Sequence, residues 1–139
     1  MRVLAIYLND GGTEWCRIVD GDVAAGVRAG GDTVGELINQ EIDRGGLGNS
    51  HPLSIGVGGS VAEDMRIFLF LWGFVNRSEG IKVSVYDTED MTGVLRYASL
   101  ATGPLARAMR DRGLLDAKAP SSHAAAMALY IAWQDWLNE

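Results

Sequence analysis

The sequence is poor in the residues that build disulfide and zinc frameworks. It contains a single cysteine, Cys16, and two histidines among 139 residues. One cysteine forms no internal disulfide, and no Cys/His pairs stand at the spacing of a structural zinc site. With so few cysteines and histidines, we can assign no Cys/His or Ser/His/Asp catalytic arrangement from the sequence. Cys16 falls in a segment that resembles a strand, so we expect a buried structural thiol.

Positive charge and long apolar runs are also scarce. The chain has 12 Lys and Arg against 18 Asp and Glu, a net charge of −6, whereas nucleic-acid-binding proteins usually present a basic face. The most apolar run, residues 67–75, is shorter than the about 20 residues that span a bilayer, and it predicts a core helix. The N-terminus resembles no secretory signal. We therefore expect a cytoplasmic protein without a membrane segment.

The sequence does contain the succession of elements of an α/β domain. Tight-turn sequences around 9–12 and 20–22 join three short strands into an antiparallel meander. The predicted strands are 1–8, 13–19, 23–29, 53–57 and 81–86, and the predicted helices are 33–44, one capped by Ser60 and running to about Arg77, 92–100, 104–112, and one capped by Ser121 or Ser122. Two crossovers after the meander predict a mixed five-stranded sheet with helices on both faces, in one domain of residues 1–139.

The opening residues resemble the start of the RuvC-like Holliday junction resolvases of the RNase H-like superfamily. Those proteins begin with an apolar strand ending in Ile-Asp, then a short turn and Thr-Gly-Trp leading into the next strand. Here Ile6 is followed by Tyr7, while Thr13 and Trp15 fall in register. The resemblance implies an RNase H-like fold. It points in particular to the compact resolvases carried by phages, and so to a prokaryotic or viral origin.

The same resemblance implies where a nuclease of this family would hold its metal ions. Two divalent cations, usually Mg²⁺, must bridge the attacking and leaving oxygens of a phosphodiester, and they need carboxylate ligands. The family places these at the ends of the first and fourth strands and in an Asp-or-His-x-x-Asp motif on the last helix. Those positions here hold Tyr7, then Val57 or Gly58, and Ala126 after His123. We expect a non-catalytic protein without a bound metal.

Other acidic residues follow the strands, at the ends where open sheets place their sites. Asp10 follows the first strand, Glu63 and Asp64 follow the fourth, and Asp87 follows the fifth. Asp10, Glu63 or Asp64, and His123 could together form a relocated site of a Mg²⁺-dependent junction endonuclease. The favoured interpretation places Asp10 in a turn, and Glu63 and Asp64 in the first turn of a helix, where acids suit the helix dipole.

A cluster of basic residues suggests an alternative function, the binding of branched nucleic acid without cleavage. These residues would have to form a continuous face: Arg96, Arg107, Arg110, Arg112 and Lys118. The favoured interpretation is a solvated helix face that neighbouring aspartates balance. The negative net charge also disfavours binding to phosphate.

Aromatic residues on two helices suggest a protein interface. The candidates are Phe68 and Trp72 on the long helix, and Trp133 and Trp136 on the last. Core packing is the simpler explanation for most of them. Part of this apolar surface suits an isologous dimer, and RuvC-like resolvases also dimerise through a helical face. The sequence therefore predicts a homodimeric or partner-binding scaffold.

Overall fold

The computed structural model describes residues 1–9, 12–29, 33–45, 52–59, 62–76, 80–115 and 123–137, with the backbone alone at 33, 62–65 and 70. Within these residues the chain forms five strands and five helices. They are β1 (Arg2–Asn9), β2 (Gly12–Val19), β3 (Asp22–Arg28), α1 (Thr33–Gly45), β4 (Leu53–Gly59), α2 (Ala62–Val75), β5 (Ile81–Tyr86), α3 (Thr88–Leu100), α4 (Pro104–Asp111) and α5 (His123–Leu137).

The strands form one mixed sheet in the order β3-β2-β1-β4-β5. The pairs β1–β2 and β2–β3 are antiparallel, whereas β4 runs parallel to both β1 and β5. Asp20 and Gly21 have φ of +50° and +88°, and positive φ at both positions is what a two-residue hairpin turn with the twist of a sheet requires. The predicted mixed five-stranded sheet is confirmed.

Helices cover both faces of the sheet because the side chains of β1 alternate between two cores. Val3 and Ala5 pack with residues of α3, α4 and α5, whereas Leu4 and Ile6 pack with residues of α1 and α2. Cys16 is fully buried in the first of these cores, and burial raises the pKa of its thiol to about 12. The expectation that this thiol is buried is confirmed.

Three boundaries differ from the predicted ones by two residues or more. β4 continues through Gly58 and Gly59, because these residues pair with Tyr7 and Leu8 of β1. α3 begins four residues before the predicted start, because Asp87 caps the helix. α2 ends at Val75 instead of about residue 77. The predicted caps at Ser60 and at Ser121 or Ser122 lie outside the described residues.

The prediction of a core helix at 67–75 is wrong for the outward side of α2. This helix packs its inner side on β5, the edge strand, where Gly73 lies directly against Val83. Leu69 is buried and Trp72 half-buried, but large apolar side chains on the other side of the helix are exposed. In the described ranges, no helix combines the length and the apolar character that crossing a membrane requires.

Candidate functional site

The carboxyl ends of β1 and β4 open into a cleft of about 500 Å³. Its walls include Tyr7 and Asn9 of β1, Asp87 at the start of α3, and His123 at the start of α5. Open α/β sheets place their ligand sites at this end of the strands. The cleft therefore contains Tyr7, the first position at which the resemblance implied a metal ligand, and His123, the first residue of the implied motif on the last helix.

The strand register identifies which β4 residue stands beside Tyr7. Gly58 is the parallel partner of Tyr7, and a Cβ on Gly58 would lie 3.3 Å from Met127 of α5. Val57 points to the opposite face and is buried with the residues of α1 and α2. Of the two positions that the sequence left open, Gly58 is the neighbour of Tyr7.

The side chain of His123 covers Tyr7. Their rings stack with centroids 4.3 Å apart and planes inclined by 13°. Ala126 lies three residues further along α5, on the same side of the helix, and is buried. The fold thus brings Tyr7, Gly58 and the His123–Ala126 turn to one end of the sheet, and a stacked aromatic pair occupies the centre of that end.

Glu14 is a member of this site that the sequence reasoning missed. It is the antiparallel partner of Tyr7 on β2. Its Oε1 accepts a hydrogen bond from the backbone N–H of His123 at 3.1 Å, and its Oε2 accepts one from Asn9 Nδ2 at 2.9 Å. The carboxylate thus stands at the positive end of the α5 dipole. The predicted hairpin was the available signal, because its register already places residue 14 opposite residue 7.

Asp87 uses its carboxylate to start α3. Its Oδ1 accepts the backbone N–H of Asp90 at 2.7 Å, and its own N–H donates to Asp90 Oδ2 at 3.2 Å, which forms a reciprocal capping box. Arg66 Nη1 lies 3.6 Å from the other carboxylate oxygen. The hydrogen bond from Asp90, with a smaller contribution from Arg66, lowers the pKa of Asp87 below its usual value.

The residues at the implied metal positions do not fit a two-metal site. Tyr7 offers a phenol, Gly58 has no side chain and Ala126 offers a methyl group, whereas Mg²⁺ requires a set of hard oxygen ligands. In the described part of the chain, no three His, Cys, Asp or Glu side chains are grouped as metal ligands. Asp10 and the side chains of Glu63 and Asp64 lie outside the described residues, so the relocated site stays a prediction.

The basic residues predicted as a nucleic-acid face divide into two groups. Arg110 Nη2 donates to the carbonyl of Ala98 at 3.0 Å, and Arg112 Nη1 donates to the carbonyl of Val23. These two residues are exposed, and their side chains join the α4 segment to α3 and β3. Arg96 and Arg107 are also exposed. Lys118 lies outside the described residues.

The four aromatic interface candidates differ in burial, and core packing does not explain all of them. Phe68 and Trp136 are 63% and 64% exposed. Trp72 packs against the core beneath α2. Trp133 is 38% exposed and stacks on Tyr97, with ring centroids 4.7 Å apart. The greater exposure of Phe68 and Trp136 is explained by position, since Phe68 is on the outer side of α2 and Trp136 is in the last turn of α5.

Comparison of the sequence with protein-family models gives no match, and comparison with curated proteins gives no significant match.

Proposed function

We propose that this chain is a non-catalytic RuvC-like protein of the RNase H-like fold that acts by binding, as a homodimer formed through α2. The order and directions of its five strands support the fold assignment. Further support comes from the convergence of Tyr7, Gly58 and Ala126 at one end of the sheet. Their side chains provide no carboxylate for the metal chemistry of the family, so the proposed activity is association.

The observation that carries this proposal is the outer face of α2. Five large apolar side chains there are 55–75% exposed and form what we call the α2 stripe: Ile67, Phe68, Leu71, Phe74 and Val75. Their spacing places them on one side of the helix. A helix that is apolar on both sides is normally buried on both sides, and a contiguous apolar patch of this kind marks an interaction surface.

A second copy of the chain is the partner that suits the α2 stripe. The stripe contains no charged residue, so two copies can pair across a two-fold axis without bringing like charges together. Contiguous apolar patches of this kind cover roughly 300–600 Å² on one copy. A standard interface takes about 800 Å² from each partner, so the stripe would form a large part of such an interface.

Binding of branched nucleic acid without cleavage is the alternative. It has less support, because Arg110 and Arg112 hold the α4 segment against α3 and β3. The net charge of −6 also opposes contact with phosphate.

Sedimentation equilibrium tests the dimer. We expect the native chain, of 14.9 kDa, to sediment with twice that mass. Leu71→Asp places a charge in the middle of the stripe and should weaken association by at least about a hundredfold, because an unpaired charge would be buried in each copy. Leu100→Asp is the matched control, since Leu100 is 74% exposed on α3. A monomeric native chain, or equal loss of association in both variants, would overturn the proposal.

A second experiment separates the dimer from the nucleic-acid functions. The purified protein is mixed with a labelled four-way DNA junction in the presence of Mg²⁺ or Mn²⁺, at low and at physiological salt. We expect neither cleavage nor specific binding. Junction binding that weakens steeply as salt rises would favour the alternative, and cleavage would establish a relocated nuclease site.

A further inference from the structure

The four positive side chains of the first 65 residues gather on one face of the sheet. This part of the chain has ten acidic residues and four arginines, a net charge of 4 − 10 = −6. Arg2, Arg17 and Arg28 stand on the three antiparallel strands, on the face toward α1, and Arg44 lies in the last turn of α1. Positive charge is thus concentrated in the region where the sequence is most acidic.

These arginines line two adjoining hollows between α1 and the β2–β3 hairpin. The smaller hollow, of about 160 Å³, is lined by Arg17, Arg28 and Arg44. The larger, of about 510 Å³, is lined by Arg2, Arg17 and Arg44 together with Glu41, Asp20 and Asp22. Because Arg17, Arg44 and Glu41 belong to both, the two hollows form one groove, with two guanidinium groups and one carboxylate at their junction.

Part of this charge has a structural role. Arg2 Nη2 donates to the carbonyl of Glu41 at 2.8 Å, near the end of α1 where a cation suits the helix dipole. The buried carboxylate of Glu41 lies 3.7 Å from Arg2 Nε and 3.8 Å from Arg17 Nη1. These contacts are ion pairs and are longer than hydrogen bonds. Arg2 and Glu41 therefore fix α1 on the sheet.

The other arginines are less completely paired than Arg2. Arg28 lies 3.5 Å from Glu36, whose side chain is largely exposed, and its Nη2 donates to Gln40 Oε1 at 3.4 Å. Arg17 Nη1 is buried and has no hydrogen-bond acceptor in the described part of the chain. Arg44 is exposed and has no acidic partner among the described residues. In the smaller hollow, three guanidinium groups thus face one buried carboxylate, that of Glu41.

An aromatic surface adjoins these arginines. Trp15 lines the smaller hollow and lies against the backbone of β3, since a Cβ on Gly26 would be 2.9 Å from its ring. A glycine at this position lets the indole lie flat on the strand. The groove thus combines guanidinium groups, which bind phosphate through paired N–H donors, with a ring on which a planar base stacks.

We propose that this groove binds a nucleoside phosphate. The phosphate oxygens accept hydrogen bonds from Arg17 and Arg44 at the junction of the hollows, and the base lies against Trp15. The phosphate group is the part that a nucleotide shares with inorganic phosphate, and the contact with Trp15 distinguishes the two. This site lies on the opposite face of the sheet from Tyr7 and His123 and is independent of the α2 stripe.

Calorimetric titration of the 139-residue chain at constant ionic strength tests the site with three probes: adenosine 5′-monophosphate, inorganic phosphate and adenosine. We expect saturable binding of the nucleotide, weaker binding of phosphate and the weakest binding of adenosine. Arg44→Gln should weaken nucleotide binding about tenfold or more, the effect of losing a charged hydrogen bond. Arg96→Gln, at an exposed arginine of α3, should leave it unchanged.

Trp15→Phe tests the stacking contact separately from the charge. We expect this variant to bind phosphate as the native chain does and to bind the nucleotide several-fold more weakly, because a smaller ring stacks less well. Circular dichroism verifies that each variant is folded. Absence of saturable nucleotide binding at millimolar concentration, or an Arg44→Gln variant that binds like the native chain, would overturn the site. Equal affinity for inorganic phosphate and the nucleotide would overturn the proposed contact between the base and Trp15.

Discussion

The two most apolar helices of the molecule, α2 and α5, have similar lengths of 14 and 15 residues but opposite surroundings. α5 lies over the middle of the sheet, where it contacts β1, β2 and β4, and most of its residues are buried. α2 lies over the edge strand β5 and exposes the α2 stripe. Helices of similar apolar content thus stabilise the fold in one case and present a surface in the other.

Side-chain size explains part of this difference. Between His123 and Ile131, α5 contains Ala124, Ala125, Ala126 and Ala128, so its backbone comes close to the sheet, which presents Gly56 and Gly58 beneath it. α2 has large side chains around most of its circumference and one glycine, Gly73, where it meets β5. A helix can place large side chains in the core on only one side, so the others require a second surface.

The largest expected difference between the two helices concerns folding stability. Met127 of α5 is fully buried, and Met127→Ala should lower the free energy of unfolding by about 2–5 kcal/mol. Phe68→Ala removes a larger side chain from α2 but should change monomer stability by less than about 0.5 kcal/mol, because Phe68 is mostly exposed. Urea unfolding at a concentration that keeps the chain monomeric measures both. Equal losses of unfolding free energy in the two variants would contradict the difference in burial between α5 and the outer face of α2.

Glycines at the contacts between each helix and the sheet predict a smaller difference in stability. A Cβ on Gly56 would collide with Ile131 and approach Tyr86 to 3.1 Å, so Gly56→Ala should cost about 1–3 kcal/mol of overpacking. A Cβ on Gly73 would lie 3.0 Å from Val83. There we expect a change near zero, because gained helix propensity of about 1 kcal/mol offsets the crowding. Thermal unfolding compares the two variants, and a larger loss of stability at Gly73 than at Gly56 would contradict the closer packing of α5 on the sheet.

The two ends of α5 give a third, weaker contrast. His123→Ala removes the stack on Tyr7 and should lower the free energy of unfolding by about 0.5–1.5 kcal/mol. Trp136→Ala, at the exposed end of the same helix, should change it by less than about 0.5 kcal/mol. Chemical unfolding of both variants measures the difference. A larger effect at Trp136 would mean that the end of α5 is packed in solution.

The smallest expected effect concerns α3, which is held at its start by a cap. The pKa of Asp87 is lowered in the folded chain, so its contribution to stability is present above the ordinary pKa of aspartate and disappears as pH falls through the lowered pKa. Asp87→Asn should therefore lower the melting temperature slightly at neutral pH and not in strong acid. Asp111→Asn, at the exposed end of α4, serves as control. If the melting temperatures of Asp87→Asn and the native chain differed by the same amount at every pH, this would contradict the capping role assigned to the Asp87 carboxylate.

Much of the fold was predictable because it depends on local patterns. Turn sequences and apolar alternation located all five strands, and the topology followed from them. The start of α3 was missed because its acidic first turn resembles a loop, although Asp87 and Asp90 have the spacing of a capping box. The exposure of α2 was not predictable, since it depends on the position of the helix over an edge strand.

For the candidate sites too, local sequence patterns were predictable and tertiary contacts were not. The resemblance drew attention to Tyr7 and His123, but their stacking and the hydrogen bond from His123 to Glu14 depend on tertiary contacts. The arginine groove was missed because its residues come from four separate elements. A net charge summed over the whole chain conceals such a cluster.

Cross-linking through one introduced cysteine tests the central claim most directly, since the native Cys16 is buried with a raised thiol pKa and should not react. Leu71→Cys places a thiol in the middle of the α2 stripe, and Leu100→Cys places one on exposed α3. With a short bifunctional maleimide at low protein concentration, we predict covalent dimers from Leu71→Cys and almost none from Leu100→Cys. Equal yields, or no dimer from Leu71→Cys, would contradict self-association through α2.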